Sequence, residues 1–502
     1  MTRYGSSSSP ARLWFALAVA VAGQLGCAAG PDFHRLPAPQ VDRYTAEAEP
    51  AKTASAEVKG GEAQILLRDM DIPGEWWTLF HSQALNNLIA RALKTNPDME
   101  AAQAALRAAR EGVAAERGAL LPSVEASFNP TRQSVPSALA SPAASGSSVY
   151  SLHTAGVSVG YTLDAFGGTR RQLESLQAQA DYQRFQLQAA YLTLTSNVVA
   201  AAVMEAELRG QMAAVMRLIQ IQEQSLQLLR RQYEAGQVPE VDVLAEEAAL
   251  AQTRMQLPPL NKQLDQERDL LSRLAGQFPS ETLGEQFELA SLDLPRELPL
   301  SLPAKLVEQR PDVRAAEELV HAASADVGVA VANRFPNITL SANLGLVATA
   351  IAQLFTTGSE FWSVGGNVAQ PIFQGGTLLH RQRAAEAALS EALAVYRGTV
   401  LTAFQNVADA LHAVQSDAEA LQAAVDAERA AAKSLSITRS QLALGDVSYL
   451  ALLNAEQTYE QAVMAKVQAL ASRYADTAAL FQALGGGWWN RANGGADERG
   501  TS

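Results

Sequence analysis

The chain has 502 residues, of which 48% are hydrophobic and 18% charged, and a net charge of −13. This is a globular balance that excludes nucleic acid as a partner, because phosphate binding needs clustered Lys and Arg. The surplus acid belongs on solvated faces or around a wet space, and beyond the first residues no run of about 20 apolar residues would make a membrane helix.

Residues 1–26 read as an export signal. Arg3 and Arg12 supply positive charge, and Leu13 to Ala22 form an apolar core too short to span a membrane. Leu25-Gly26-Cys27-Ala28 follows, the pattern of a lipobox in which Cys27 is acylated and begins the mature chain. Gln24 departs from the usual apolar residue there, and ordinary cleavage at a small-residue site is the alternative. Cys27 is the only cysteine, so no disulfide within the chain is possible. Acyl chains on Cys27 would give about 0.8 kcal/mol per buried methylene, a stable anchor in a bacterial envelope. Ala28 is not the Asp that retains lipoproteins at the inner membrane, so sorting outward is expected. Residues 27–75 read as an extended, lipidated arm, rich in Pro, Ala and Glu over 31–62.

From Trp76-Trp77 onward the chain repeats itself. Asn96-Pro97-Asp98 returns as Arg310-Pro311-Asp312, and Leu121-Pro122 as Phe335-Pro336, both at an offset of 214 residues. Gly167-Gly168 returns as Gly375-Gly376 at 208, and Asn197 and Gly236 return as Asn406 and Gly445 at 209. Solenoid periods run about 20–50 residues, so this is one large unit duplicated, with a longer loop in the first copy. The first repeat (76–290) is expected to hold helices 84–95, 98–121, 168–235 and 239–275 and strands 123–130 and 155–166. The second (291–485) is expected to hold helices 302–309, 312–334, 376–444 and 448–484 and strands 337–347 and 361–373. Residues 486–502 read as a flexible tail.

The strands show period-two alternation. Val124, Ala126 and Phe128 alternate with Ser123, Glu125 and Ser127, and Leu340, Ala342 and Leu344 with Thr339, Ser341 and Asn343. At about ten residues each they are long enough to cross a bilayer. A half-buried soluble sheet has the same period, but two isolated hairpins would be marginal in water. Open edges cannot face lipid, so a membrane reading requires other copies of the chain to complete the sheet: two chains give eight strands and three give twelve. The long helices extend about 65 residues, or about 100 Å. In the second, Val400, Phe404, Val407, Leu411, Val414, Ala418, Leu421 and Val425 keep a heptad seam.

Enzyme readings are weak. Gly156-Val157-Ser158-Val159-Gly160 has the letters of a hydrolase elbow, but that mechanism needs Ser on a sharp strand-to-helix turn, and here the alternation continues through Ser158. The histidines (34, 81, 153, 321, 380 and 412) show no metal-ligand spacing, so no metal and no cofactor beyond the Cys27 lipid is expected. No phosphate-cradling motif supplies an energy source.

Together these features resemble the TolC/OprM family of outer-membrane efflux ducts, most closely its lipoproteins. The resemblance rests on Gly30-Pro31-Asp32-Phe33 after Cys27, Trp76-Trp77 with Phe80, both Pro-Asp helix starts, both Gly-Gly exits, Gln309, and the terminal Ala483-Leu484-Gly485-Gly486-Gly487-Trp488. It covers nearly all of 27–489. It implies a mostly α fold with a small β part, in which long antiparallel coiled-coil helices form a periplasmic α-barrel continuous with a transmembrane β-barrel. Each chain of a homotrimer would give four of twelve strands. The protein would conduct drugs or other small molecules passively through the outer membrane when docked to a periplasmic adaptor and an inner-membrane pump. The alternative is a periplasmic coiled-coil structural or adaptor protein without a pore.

The family pattern also assigns positions. Gly236, Gln237 and Val238, with Gly445, Asp446 and Val447, match the helix-hairpin tips that dock the adaptor, although a Gly suits any tight helix-ending turn. Leu450 matches an aperture leucine. Asn454 stands where the family has a carboxylate and Gln457 where it has a basic residue, which weakens an inherited salt-bridge lock. Asp242, Glu246 and Glu247 could supply the gate's charge, since acidic rings favour cations, or could simply cap and solvate a helix start.

Overall fold

The computed structural model describes residues 28–47, 50–134, 149–281 and 283–491. The signal segment 1–26, Cys27, residues 135–148 of the first strand loop and residues 492–502 lie outside the described residues. In chain order the elements are β1 (Ile65–Arg68), α1 (Gln83–Thr95), α2 (Pro97–Gly118), β2 (Ser123–Ser134), β3 (Val149–Leu163), α3 (Gly168–Glu234), α4 (Glu240–Arg254), α5 (Leu257–Leu274), β4 (Glu297–Leu300), α6 (Pro303–Gln309), α7 (Pro311–Ala332), β5 (Asn337–Ala348), β6 (Glu360–Ala369), α8 (Thr377–Leu444) and α9 (Tyr449–Ala483). The fold is mostly helical with a small β part. One helix contradicts the hydropathy reading: α3 has an 18-residue window of mean hydropathy 1.4, long and apolar enough to cross a membrane, but 56% of that window is buried within the protein.

The chain divides into two compact units. Of the described residues, the first contains 28–35, 106–134, 149–183 and 316–396. Its centre is an antiparallel sheet in the order β2-β3-β5-β6. Pairing brings Phe128 opposite Ala155, Val157 opposite Leu344, and Leu344 opposite Trp362. Because side chains alternate across a strand, these residues share one face with Val124, Val159, Ala342, Val364 and Val368. Ser158, Asn343 and Ser363 lie on the other face. Leu344, Trp362, Val364 and Val368 are 65–76% exposed. β2 and β6 are the edges.

At the exit of β3, Asp164 caps α3 by accepting hydrogen bonds from the Thr169 and Arg170 amides. The stretch after Cys27 docks beside this turn. The Ala29 amide donates to the Phe166 carbonyl, buried Arg171 donates to Ala29 O and to Asp32, and Phe33 stacks on His321 at 4.3 Å.

Of the described residues, the second unit comprises 36–47, 50–105, 184–281, 283–315 and 397–491. Its hub is aromatic. Trp76, wholly buried, stacks on Phe481 at 5.4 Å and meets Trp77 and Phe80 edge-on. The heptad seam of α8 is buried except for half-buried Phe404.

The repeat reappears here as geometry. Asn96 caps α2 and donates to the Leu274 carbonyl; its counterpart Arg310 binds Asp312 at the start of α7 and donates to the Ala483 carbonyl. A Cβ at Gly276 would lie 2.4 Å from the Thr95 oxygen, and one at Gly485 2.6 Å from the Gln309 oxygen. Different side chains thus do the same job at the same two places.

Three expectations are corrected. The helix expected over 239–275 is two, because Pro258 and Pro259 supply no amide for the preceding turn; they fall in the first turn of α5 instead. The arm is not merely extended: β1 pairs in parallel with β4, Ile65 opposite Glu297. Residues 486–491 are not a loose tail. The indole N–H of Trp488 donates to Gln309 O at 2.7 Å and that of Trp489 to Asp71 at 3.0 Å.

Candidate functional site

The candidate positions gather where α3 turns into α4 and α8 into α9. Both turns end their helices in the same way. Gly236 (φ 73°) donates to Tyr233 O and Gln237 to Gln232 O; Gly445 (φ 81°) donates to Leu442 O and Asp446 to Gln441 O. This double bond pattern with a left-handed residue is the Schellman motif, and it satisfies carbonyls the helix would otherwise orphan. No other atom comes within 4 Å of a Cβ built at either glycine, so each is there for its backbone conformation and not for close packing. Gly236, Gln237, Gly445 and Asp446 are exposed, and Val238 and Val447 half-buried.

Below the turns the two hairpins meet in one apolar cluster: Leu226 and Leu229 of α3, Val243 and Leu250 of α4, Leu435 of α8, and Tyr449 and Leu452 of α9. Leu226 and Leu435 are repeat equivalents, as are Val243 and Leu452, so each hairpin contributes a matching half. Leu450 is 65% exposed, and so is its repeat equivalent Val241. Asn454 and Gln457 are exposed on α9, and Asp242 and Glu247 half-buried on α4.

Glu246 departs from this set. It is wholly buried, and neither carboxylate oxygen has a hydrogen-bond partner. It therefore does not present its charge to a wet space within the chain. Burial pushes its carboxyl up to about 7, with Glu456 raising it and the Tyr449 hydroxyl lowering it. Tyr449 and Glu246 influence one another electrostatically, but no hydrogen bond of ordinary geometry joins them.

Two ion pairs, unnoticed in the sequence, brace the hairpins. Arg230 reaches Glu247 at 2.7 Å, from α3 to α4. Arg439 reaches Glu456 at 3.0 Å, from α8 to α9. Both members are offset by 209 residues, so the second pair repeats the first. Glu247 is partly exposed, whereas Glu456 is 1% exposed and its other oxygen has no partner. Burial raises the Glu456 carboxyl against the lowering effect of Arg439. The sequence signal was available, because Arg and Glu recur at the repeat spacing.

Among the described residues no group of His, Asp and Glu is placed to hold a metal. Ser158 lies within β3, paired with Glu125 and Asn343, and not on a strand-to-helix turn. Cys27 lies outside the described residues.

Known proteins agree with this architecture. The family model described as outer membrane efflux protein matches twice, over 88–277 and 302–486, one match for each repeat. The probable efflux pump outer membrane protein TtgC of Pseudomonas putida is 29% identical over 470 residues, 93% of this chain and 94% of that protein. The pyoverdine export outer membrane protein OpmQ of Pseudomonas aeruginosa is 30% identical over 427 residues, 84% of this chain and 89% of that one. The solved outer-membrane channel OprN superposes with a TM-score of 0.81 at 29% identity, covering 92% of this chain and all of that one. The chain therefore belongs to the outer membrane efflux protein family and is an outer-membrane efflux channel.

Proposed function

We propose that this protein is the exit duct of a tripartite efflux system and that three copies close one channel. The observation that carries this reading is the four-stranded sheet, apolar on one exposed face and polar on the other, with both edges unpaired. A bilayer accepts such a sheet only if it is closed. Passive conduction of small molecules follows, with an adaptor at the hairpin tips around Gly236 and Gly445 and an inner-membrane pump supplying the energy. A pore-free periplasmic coiled coil has no use for an apolar sheet of this kind.

The internal repeat supplies a register for the closure. Within the chain β3 pairs with β5, Ser158 opposite Asn343. Thr154 and Ser363, the partners of Asn129 and its equivalent Asn343, set the offset from β3 to β6 at 209 residues, so carrying both strands to their repeat equivalents sets β6 of one copy against β2 of the next, with Asn367 opposite Asn129 and Val368 opposite Phe128. Val368 and Phe128 then continue the apolar face across the seam, while Val364 meets Arg132 and Trp362 meets Ser134 at its far end. The Cys27 lipid fits the same picture. Ala28 is so close to the exit of β3 that a Cβ on Gly167 would lie 2.7 Å from its Cα, which supports an anchor near the membrane strands. Leu450 and Asn454 form the iris, the latter through amide hydrogen bonds in place of charge.

Cysteines at Asn367 and Asn129 should cross-link chains into trimers on oxidation in outer membranes, and purified protein should conduct in planar bilayers. Monomeric protein without conductance would overturn the duct. Asn454→Ala should raise leak of bulky antibiotics. Cys27→Ser should end palmitate labelling.

A further inference from the structure

Glu246 is the one candidate gate residue that faces inward, and its surroundings suggest a role that lining a pore would not. It sits on α4 where the first hairpin meets the second. Tyr449 and Glu456 approach it from α9, and Arg439 of α8 is engaged with Glu456. The nearby polar group of α3 is Ser225, which acts on Tyr449, and Arg230 of α3 is engaged with Glu247. Among the described residues no cation acts on Glu246. A carboxylate held here makes no hydrogen bond of ordinary geometry, is favoured only by the nearby Tyr449 hydroxyl, and has another carboxylate beside it, whereas a neutral acid is far cheaper to bury.

We propose that Glu246 is a latch between the two tip hairpins: as a neutral acid it lets α4 and α9 lie together, and as a carboxylate it drives them apart. It thereby positions the gate without lining it. This rests on the reading of the tip as the closed end of a duct.

The direction of the pH effect follows from linkage. Closed, the carboxyl is held near 7; opened to water it returns to about 4.3. Below the lower value both states hold the proton and pH has no effect. Between the two, only the closed state holds it, so closure weakens as pH rises, by about tenfold per pH unit. Above the upper value both states are ionised and the dependence levels off. The latch is therefore tightest in acid and fully released above the upper value.

The test uses full-length protein and two readouts: open probability in planar bilayers, and the distance between nitroxides at Leu244 on α4 and Thr458 on α9. In the wild type both should rise with pH and then level off. Glu246→Gln should flatten both and keep the tip closed. Tyr449→Phe removes an influence that lowers the carboxyl, so the levelling point should move to higher pH; Glu456→Gln removes one that raises it, so the point should move lower. A wild-type pH profile in Glu246→Gln, or the same direction of shift in the other two variants, overturns the latch. PH-dependent separation of the nitroxides without conductance supports the latch and counts instead against the duct.

Discussion

The two repeat-related ion pairs at the tip form a natural experiment on burial. Consider Arg230→Ala beside Arg439→Ala. Arg230 and Glu247 are both partly in water, with side chains 56% and 39% exposed. A pair in that setting contributes about 0.2–1 kcal/mol. Arg439→Ala instead strands Glu456, 1% exposed, with no donor on either oxygen. An uncompensated buried charge costs about 3–5 kcal/mol, but Glu456 can escape part of this by taking up a proton, which its raised carboxyl makes easier. The net expectation at neutral pH is about 1.5–3 kcal/mol, or roughly a 10- to 150-fold gain in local opening. Native-state hydrogen exchange of amides 449–459 in full-length protein reads this directly. Arg230→Ala should speed exchange at amides 240–250 by less than about fivefold. The Arg439→Ala effect should shrink toward acid pH, where Glu456 is neutral in both open and closed forms. Equal effects of the two substitutions would refute the argument that burial decides the worth of these pairs.

Trp76→Ala should remove about 3–5 kcal/mol from the aromatic hub, seen as a lower thermal midpoint; an unchanged midpoint would mean Phe481 has no need of its stacking partner. Gly445→Ala should cost only the left-handed backbone, about 1–2 kcal/mol, confined to exchange at the tip. Gly276→Ala drives a methyl into the Thr95 carbonyl and should lower the yield of folded protein. Hydrogen bonding to Glu318 raises the pKa of His321, against the cost of burial and with help from Glu174. Its contribution to docking the Phe33 stretch is then complete below about pH 6.5 and lost as pH rises through the raised value. Limited proteolysis between Pro31 and Leu36 should quicken from about pH 6 to about pH 8.5, and His321→Gln should abolish that change.

Much of the fold was legible because its devices are local. Period-two alternation marks β2, β3 and β5, Pro-Asp starts and Gly stops punctuate the helices, and recurring offsets of 214 and then 208–209 residues expose the duplication. What escaped has physical reasons. Pro258 and Pro259 read as helix interior because apolar spacing continues across them, yet a proline pair is tolerated only in a first turn. β1 and β4 are four residues each and pair across more than two hundred positions, which no short-range pattern records. Gly486-Gly487 reads as the start of a flexible end, but Trp488 and Trp489 each find an acceptor. At the site, the tip turns were plain from Gly236 and Gly445. Glu246 reads as a gate charge or a helix cap when its charge is weighed before its spacing. Val243, Glu246, Leu250 and Thr253 share one buried stripe, and three-four-three spacing assigns the acid to the core side.

The parallel pairing of Ile65–Arg68 with Glu297–Leu300 joins a stretch that precedes both repeats to the opening stretch of the second. Cut between the repeats, either half would carry backbone groups whose partners lie on the lost half. A protein assembled from two similar parts has in this way become indivisible: its ancestry is modular, and its present stability is not.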